Sequence, residues 1–451
     1  MKPDIAIYNA LILTVNALFD IIESGLILIK GDEIISVSSW CGGVPDAFET
    51  INANGGIVMP GLINAHTHLP MTLFRALADD LSLDDWLNRF IMPAEKKCLN
   101  EKNIAVGCTL ALAEMINSGT TTICDAYFLE KEIAKTVSVL GVRAVLGQGV
   151  IDFPAPGVED PKDNIRNAVS FVEEWKNRNP LITPSICCHA PYTCSNETIV
   201  SAKTACERLG VKFQIHVSET RHEVENSIEM HNMTPVARLD HIGVLDENSL
   251  LAHLVWVDGK DMEILKKRNV AGVHCPMSNM KLASGIAPME EMLKKNILMG
   301  LGTDGAASNN RLDMFQEMDA AAKISKASTL NPEALSAVSA IRMATISGAR
   351  ALGLEKQTGS IEAGKKADLI VIDTNRPHLT PLYNPASAVV YSATGADVRD
   401  VMVGGRFLKR NFTLVTIDMN GLIEKGRQIG NGVQRAIGLT DPPKSTVAEQ
   451  K

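Results

Sequence analysis

The strongest constraint on the fold is an alternation of short apolar runs with longer amphipathic stretches between residues 57 and 354. The apolar runs have strand length, and several of the stretches between them carry apolar residues at helical spacing. We predict eight strands, at Ile57–Asn64, Thr120–Ala126, Arg143–Val150, Thr183–His189, Lys212–His216, Ser249–His253, Val270–His274 and Ile297–Thr303. Helices are predicted at Ile104–Ser118, Asp163–Asn177, Asn196–Leu209 and Met289–Lys295. Eight strand–helix units indicate an α/β fold, the (β/α)8 TIM barrel.

The two chain ends differ from this central part. The first sixty residues contain short apolar runs separated by Gly and Asp turns, such as Gly25–Ile29 before Lys30-Gly31-Asp32. Similar runs return at Ala367–Asp373 and from Val398 to Phe407. We therefore predict a small β-sandwich domain built from both chain ends. The predicted domains are 1–58 and 361–415 for the β-sandwich, 59–360 for the barrel, and 416–451 for a C-terminal helix and a polar tail from Pro442.

Charge and composition exclude several classes of protein. The chain has a net charge of −8 and a pI of about 5.8, without a long basic run, so neither nucleic acid nor an anionic membrane is an expected partner. No uncharged apolar run approaches the roughly 20 residues of a membrane helix, and the N-terminus lacks the pattern of a signal peptide. Nine cysteines without a C-x-x-C pair fit reduced thiols, which predicts a cytoplasmic protein.

Histidines recur where the predicted strands end. His66 and His68 stand two residues apart in an extended segment, so their imidazoles point to the same side, and imidazole nitrogen suits zinc and related ions. Taken singly, each histidine reads better as a buried structural residue. Their recurrence at the C-terminal strand ends, where barrel enzymes carry their chemistry, favours a functional site instead. The later members of this series are His189, His216, His253, His274 and Asp304.

A metal-assisted hydrolysis is the chemistry that these residue types favour. His66, His68, His216 and Asp304 form a plausible ligand set for a zinc ion that lowers the pKa of water to about 7, and Asp304 could also accept the proton. Glu219 could protonate a ring nitrogen, or it could be a surface residue that opens a helix. His253 could orient the attacking hydroxide, whereas His274 could support the site or be purely structural. Because no lysine stands beside His189, one metal is the simpler interpretation.

Three segments resemble the amidohydrolase superfamily, and within it the methylthioadenosine/S-adenosylhomocysteine deaminase branch, which borders the triazine hydrolases. They are Pro60–His68, His216–Glu219 and Leu301–Asn310. The resemblance extends from about residue 5 to about residue 410 and implies a barrel with a split β-sandwich. It implies metal ligation by the four residues above, and proton handling by Glu219, His253 and Asp304. It also implies one Zn²⁺ per subunit, with Fe²⁺ or Mn²⁺ as alternatives, and a homo-oligomer, either dimer or tetramer.

The resemblance further implies how a nucleoside is bound, with Glu219 and Asp304 also contacting the base. Glu95 matches a family residue that contacts the ribose hydroxyls, and His189 matches one that contacts the nucleoside. Gln148 stands where some members have an Arg that reads the distal part of a larger substrate. A glutamine can hydrogen-bond a carboxylate but brings no charge. Methylthioadenosine, adenosine or 5′-deoxyadenosine is therefore expected in preference to S-adenosylhomocysteine.

The expected activity is hydrolytic deamination of an adenine nucleoside to the inosine analogue and ammonia. Such an enzyme is a hydrolase of carbon–nitrogen bonds in cyclic amidines. One alternative is a metal-dependent hydrolase of another amino- or chloro-substituted ring, such as guanine, a pterin or a triazine. Another is a non-catalytic barrel that has lost its chemistry. The complete set of metal ligands argues against this second alternative.

Overall fold

In the computed structural model, which describes residues 2–438, the chain begins with five strands. They are β1 (Ile5–Leu13), β2 (Ile21–Lys30), β3 (Glu33–Ser39), β4 (Glu49–Asn52) and β5 (Ile57–Pro60). The central strand is β1, which pairs antiparallel with β2 and parallel with both β4 and β5. Its side chains Ile7 and Ile12 are fully buried, which anchors this group of strands on a core of its own.

The next nine strands form the barrel. They are β6 (Leu62–His68), β7 (Thr120–Tyr127), β8 (Arg143–Val150), β9 (Ile182–Cys188), β10 (Phe213–Val217), β11 (Ser249–His253), β12 (Ala271–His274), β13 (Leu298–Leu301) and β14 (Asp304–Gly305). Each strand from β6 to β12 pairs in parallel with the next one. The short strand β14 follows β13 and pairs with β6, where Asp304 lies opposite Thr67. Since only residues 302–303 separate β13 from β14, this last pairing brings the chain back beside the first barrel strand.

Helices lie between the barrel strands and, from α12 onward, after the last of them. They are α1 (Leu83–Trp86), α2 (Met92–Cys98), α3 (Glu101–Asn117), α4 (Glu130–Leu140), α5 (Asn164–Trp175), α6 (Asn196–Leu209), α7 (Arg221–His231), α8 (Pro235–His241), α9 (Gly259–Lys267), α10 (Pro276–Lys281), α11 (Met289–Lys294), α12 (Ala306–Asn309), α13 (Met314–Thr329), α14 (Ala337–Met343) and α15 (Ile346–Leu352). Their bounds follow local sequence rules. For example, α6 begins where the Ser195 hydroxyl accepts from the Thr198 N–H and ends at Gly210, which is left-handed.

The C-terminal part returns to the first sheet. Its elements are β15 (Leu369–Ile372), α16 (Pro385–Tyr391), β16 (Val398–Val403), β17 (Arg406–Arg410), β18 (Thr413–Leu414) and α17 (Met419–Ile437). Because β15 pairs antiparallel with β5, both chain ends form one connected sheet of nine strands. The predicted fold class, a barrel with a small β-domain made from both ends, is confirmed. Among residues 2–438, no helix is both long and apolar enough to cross a membrane.

The first predicted barrel strand, Ile57–Asn64, is wrong in its bounds. Residues 57–60 form β5 in the terminal sheet, and the barrel strand begins only at Leu62. The break falls at Gly61, where a Cβ atom would lie 2.1 Å from the Thr121 hydroxyl oxygen. His66 and His68 therefore lie within β6. The predicted boundary at 58/59 falls inside β5, the other domain boundaries stay predictions, and the polar tail from Pro442 lies outside the described residues.

Candidate active site

Four side chains meet at the C-terminal end of the barrel strands. His66 and His68 come from β6, His216 from β10 and Asp304 from β14, and one ligand-type atom of each lies within 4.8 Å of the others. Nε2 of His216 is 3.1 Å from Nε2 of His66 and 3.3 Å from Nε2 of His68. Oδ1 of Asp304 is 3.1 Å from Nε2 of His68. The structure thus brings together the four residues that the sequence predicted as metal ligands.

Hydrogen bonds on the far side of the rings fix how two of these histidines face the centre. Nδ1 of His68 donates to the Ala126 carbonyl at 2.6 Å, and Nδ1 of His216 donates to the His189 carbonyl at 2.5 Å. Because a carbonyl only accepts, each Nδ1 carries the hydrogen, and the Nε2 lone pairs of the neutral rings face one another. Lone pairs at 3.3 Å repel unless a cation lies between them. Three imidazoles and a carboxylate fit Zn²⁺ and similar divalent ions.

Burial shifts the pKa values of all four residues, but it decides the net direction only for His66 and His216; burial would lower the pKa of His68, but its contacts with Asp304 outweigh it and raise that pKa. Desolvation lowers the pKa of His66 to about 4 and holds the pKa of His216 well below its ordinary value, so both rings are neutral near pH 7. Burial alone would raise the pKa of Asp304, but its contacts with His66 and His68 outweigh it and hold that pKa well below its usual range. Neutral imidazoles and an ionised carboxylate are the forms that bind metal.

A second pair of buried groups, Glu219 and His253, lies beside this centre. Oε2 of Glu219 is 3.7 Å from Nε2 of His253, and the two residues are 6% and 1% exposed. Burial raises the pKa of Glu219. Burial would lower the pKa of His253, but the charges of Glu219 and Asp304 outweigh it and raise that pKa. A buried acid and a buried base in van der Waals reach can exchange protons with a substrate bound beside both.

Glu219 is held by the turn that follows β10. Ser218 has a left-handed φ of 55°, and the carboxylate of Glu223 accepts the N–H groups of both Ser218 (2.9 Å) and Glu219 (2.8 Å). Helix α7 is capped by Thr220, whose hydroxyl accepts from the Glu223 N–H. The alternative that Glu219 is a surface residue opening a helix is therefore wrong.

Two residues of the site have backbone conformations that L-residues rarely adopt. His253 has a φ of 76° and Asp304 a φ of 59°. Between β13 and β14, Gly302 lies so close to β6 that a Cβ atom there would be 2.7 Å from the His66 carbonyl oxygen. Strain and close approach of this kind concentrate at functional sites, where surrounding packing maintains them.

A cavity of about 350 Å³ opens directly on this centre. Its polar lining includes His68, Glu95, His189 and His216. Glu95 is 6% exposed, its carboxylate accepts from the Tyr127 hydroxyl, and burial raises its pKa to about 7. The structure thus brings Glu95 and His189, which lie far apart in the sequence, to the same cavity beside the candidate metal centre.

Comparison with known proteins places the chain in a family. The sequence profile of the amidohydrolase family matches residues 57–408, which is most of the chain. The chain belongs to the amidohydrolase family. The resemblance found in the sequence is thereby confirmed, as is the predicted enzyme class, a hydrolase of carbon–nitrogen bonds in cyclic amidines.

Three relatives extend this assignment. The chain is 43% identical over 435 residues to the 5-methylthioadenosine/S-adenosylhomocysteine deaminase of Syntrophobacter fumaroxidans, covering 96% of this chain and 99% of that one. It is 43% identical over 411 residues to the 5′-deoxyadenosine deaminase of Methanosphaera stadtmanae, covering 91% and 95%. The crystal structure of a zinc-bound adenosine deaminase from Xanthomonas campestris superposes with a TM-score of 0.93 at 33% identity, covering 96% and 99%.

Gln148 of this amidohydrolase makes its side-chain hydrogen bonds within the protein, and its predicted substrate contact stays a prediction. Its Oε1 accepts from the Glu130 N–H at 3.2 Å, and its Nε2 donates to the Gly149 carbonyl at 3.3 Å. Gln148 is not among the residues that line the cavity. At the end of β8 the side chain turns toward the start of α4, and the sequence pattern does not reveal that direction.

His274 lies outside the group of four. It is 2% exposed, and within residues 2–438 neither ring nitrogen has a hydrogen-bond partner. Burial lowers its pKa to about 3, so the ring is neutral. Nothing in this environment assigns the ring a chemical role, and its predicted reading as a supporting or structural residue stays open.

Sequence reasoning missed several polar residues that contact the site. Ser278 and Asn279 follow β12 closely, and their position after a strand end was the available indication. Tyr127, the last residue of β7, had the same indication and contacts Glu95. Ser284 and Glu223 had none, because each reaches the site through tertiary packing, with contacts to Glu219 and to the turn after β10, respectively.

A larger cavity, of about 1070 Å³, adjoins the first one. The two share Leu87, Asn88, Met92 and Phe153, and the larger one reaches Ser284 beside Glu219. Leu87 and Asn88 belong to a single π-helical turn, Leu87–Ile91. The candidate site is therefore approached from two sides, one beside Glu95 and one beside Glu219.

Proposed function

We propose that this amidohydrolase replaces the 6-amino group of an adenine nucleoside by oxygen and releases ammonia. The observation that carries the proposal is the cluster of His66, His68, His216 and Asp304, which lies beside the Glu219–His253 pair and opens on the cavity that contains Glu95. The named activities of the relatives support it. They differ at the 5′ position and share an adenosine ring system.

We assign the four clustered residues to one divalent cation and propose that it is Zn²⁺. The donor set supports this ion, as does the zinc in the Xanthomonas campestris structure, although Fe²⁺ or Mn²⁺ would accept the same donors. When bound, the cation acts as a Lewis acid that brings the pKa of water near 7.

The residues around the centre can manage every proton of the reaction. Glu219, protonated, donates to N1 of the purine while a water oxygen adds to C6 and gives one proton to His253 or Asp304. That proton passes to the amine, the C6–N bond breaks, and ammonia leaves. The remaining hydroxyl proton at C6 returns to Glu219, which leaves a C6 carbonyl, a proton on N1 and the enzyme in its starting state. Water thus supplies the oxygen at C6, the proton that leaves with ammonia and the proton that returns to Glu219.

We assign Glu95 and His189 to the sugar side of the nucleoside. The Tyr127 hydroxyl occupies Oε1 of Glu95, which leaves Oε2 to accept hydrogen bonds from the ribose hydroxyls. His189 lines the same cavity, and its Nδ1 is within 2.8 Å of the Thr193 hydroxyl, which fixes the ring.

We propose that the 5′ substituent is small and uncharged, as in methylthioadenosine, adenosine or 5′-deoxyadenosine. The cavity wall beyond Glu95 includes Phe128, Ile151 and Phe153, and a charged amino acid tail is costly to desolvate against such side chains. Of the two lysines that line it, Lys97 donates to the Ala436 carbonyl and Lys96 is exposed to solvent. S-adenosylhomocysteine is therefore expected to be the poorest substrate of the four.

The activity is tested by incubating zinc-loaded enzyme with each nucleoside and following ammonia release and the change of adenine to hypoxanthine absorbance. We expect turnover of the uncharged nucleosides. Glu95→Ala should raise KM at least about tenfold, because one charged hydrogen-bond partner of the ribose is lost. Exposed Glu101 on α3 provides the matched control Glu101→Ala. Deamination of guanine without activity on any adenine nucleoside would contradict the proposal and favour the alternative ring hydrolase.

The cytoplasmic location and the homo-oligomer, dimer or tetramer, also remain proposals. All nine cysteines are free, and eight are buried, which agrees with a reducing compartment. Light scattering coupled to size-exclusion chromatography measures the number of chains. A monomer at micromolar concentration would contradict the oligomer.

A further inference from the structure

One short segment contacts three of the residues that we assign to the reaction. It comprises residues 276–284, directly after β12, and we call it the positioning segment. Ser278 Oγ donates to Oδ2 of Asp304 at 2.7 Å. Asn279 Oδ1 is 2.9 Å from Nδ1 of His253, and Ser284 Oγ donates to Oε1 of Glu219 at 3.1 Å. All three contacts are buried. We propose that this segment sets the orientation and proton positions of all three groups, an inference that rests on the proposed function.

The contact with His253 selects its tautomer. The Asn279 oxygen only accepts, so Nδ1 of His253 carries the hydrogen and Nε2 is left as an acceptor facing the site. The backbone at His253 is left-handed, and ordinary strand geometry therefore does not determine where the ring points. Asn279 supplies that direction from outside the strand.

The two serines act on carboxylates in the same manner. Ser284 occupies Oε1 of Glu219, which leaves Oε2, 3.7 Å from Nε2 of His253, to hold the transferred proton. Ser278 and Ser308 both donate to Oδ2 of Asp304, which leaves Oδ1 toward His66 and His68. Each carboxylate therefore presents one defined oxygen to the reaction centre.

The positioning segment is itself fixed to the barrel. The Met277 N–H donates to Oε2 of Glu317, whose Oε1 accepts from Nδ2 of Asn309 at 2.6 Å. The same Asn309 amide donates to the carbonyl of Thr303, the residue before Asp304. At its other end, the Trp256 indole donates to the Ser284 carbonyl at 2.6 Å. These contacts tie the segment to the loop after β11 and to the start of β14.

Two substitutions test the proton-handling contacts. Ser284→Ala should lower kcat for 5′-deoxyadenosine about tenfold, with unchanged KM and zinc content, because a single hydrogen bond to Glu219 is lost. Asn279→Ala should lower kcat at least about tenfold, and Asn279→Asp, which retains an acceptor for Nδ1, should restore most of it. A structural role alone would not produce rescue by the conservative variant.

The third contact is tested without substrate. Ser278→Ala should weaken zinc binding about tenfold in competition with a chelator, because Asp304 loses one of two orienting donors. Ile286→Ala, two residues beyond the segment and 46% exposed, is the control and should equal the wild type in all assays.

The proposal is overturned if the three alanine variants change only the melting temperature and leave kcat and zinc affinity at wild-type values. A wild-type protein that deaminates no adenine nucleoside would instead refute the proposed function. In that case the chelator competition still decides whether Ser278 orients Asp304.

Discussion

Replacing Glu219 by glutamine separates metal binding from proton transfer. The residue is 6% exposed, and glutamine has the same shape, so Glu219→Gln creates no cavity. Its amide oxygen can still accept from Ser284, and its NH₂ group can donate to the acceptor Nε2 of His253. The substitution therefore removes the titrating proton and leaves the packing in place.

The size of the effect follows from this burial. Positioned general acid–base catalysis contributes about 10²–10⁴ in rate, or roughly 3–5 kcal/mol. Because water has little access to replace the carboxyl, we expect kcat to fall by about 10³ or more while zinc content stays unchanged. Steady-state deamination of 5′-deoxyadenosine and elemental analysis measure the two quantities.

The control for this variant is Glu229→Gln, an exposed residue on the same helix α7. We expect wild-type kcat for the control. If Glu219→Gln retained kcat within about threefold of the wild type, the assignment of Glu219 as the proton donor to N1 would be wrong.

Three further predictions concern binding, stability and pH. Tyr127→Phe should raise KM for nucleosides about tenfold with little change in kcat, because Glu95 loses the donor that orients it; equal KM values would contradict this. Arg143→Met should lower the free energy of unfolding by about 3–5 kcal/mol in urea titration, because Arg143 bonds the buried Asp368 at 2.6 and 3.1 Å and leaves it unpaired when removed. Burial raises the pKa of Glu317 from 4.5 to about 8, so the folded state binds this proton more tightly, and stability should fall as pH rises between these values. Glu317→Gln should flatten that slope, and an unchanged slope would refute the reasoning.

Much of the fold could be predicted because the spacing of apolar residues along the chain indicates local secondary structure. The helix predicted at Asn196–Leu209 coincides with α6, since Ser195 and Gly210 mark its ends in the sequence itself. The break at Gly61 could not be predicted in this way. It depends on the pairing of β5 with β1 and β15, and β15 lies about three hundred residues away in the chain.

The residues of the candidate site could likewise be predicted only where local sequence determines their position. The H-x-H pair and the strand-end rule located His66, His68 and His216 from residue type and spacing alone. Glu95 came only from the resemblance, because its place at the cavity depends on how α2 packs. The hydrogen bonds of Gln148 could not be predicted, because position in a strand does not fix which neighbours a side chain contacts.

The central claim is that His66, His68, His216 and Asp304 hold one divalent cation. The most direct measurement is elemental analysis of protein purified without chelators, for the wild type and for His216→Ala, with His222→Ala on the exposed surface of α7 as the control. We predict about one zinc, or a replacing divalent ion, per chain in the wild type and in the control. The same analysis should find little metal in His216→Ala. Equal metal content in all three proteins, or a folded wild type that binds none when zinc is supplied, would contradict the claim.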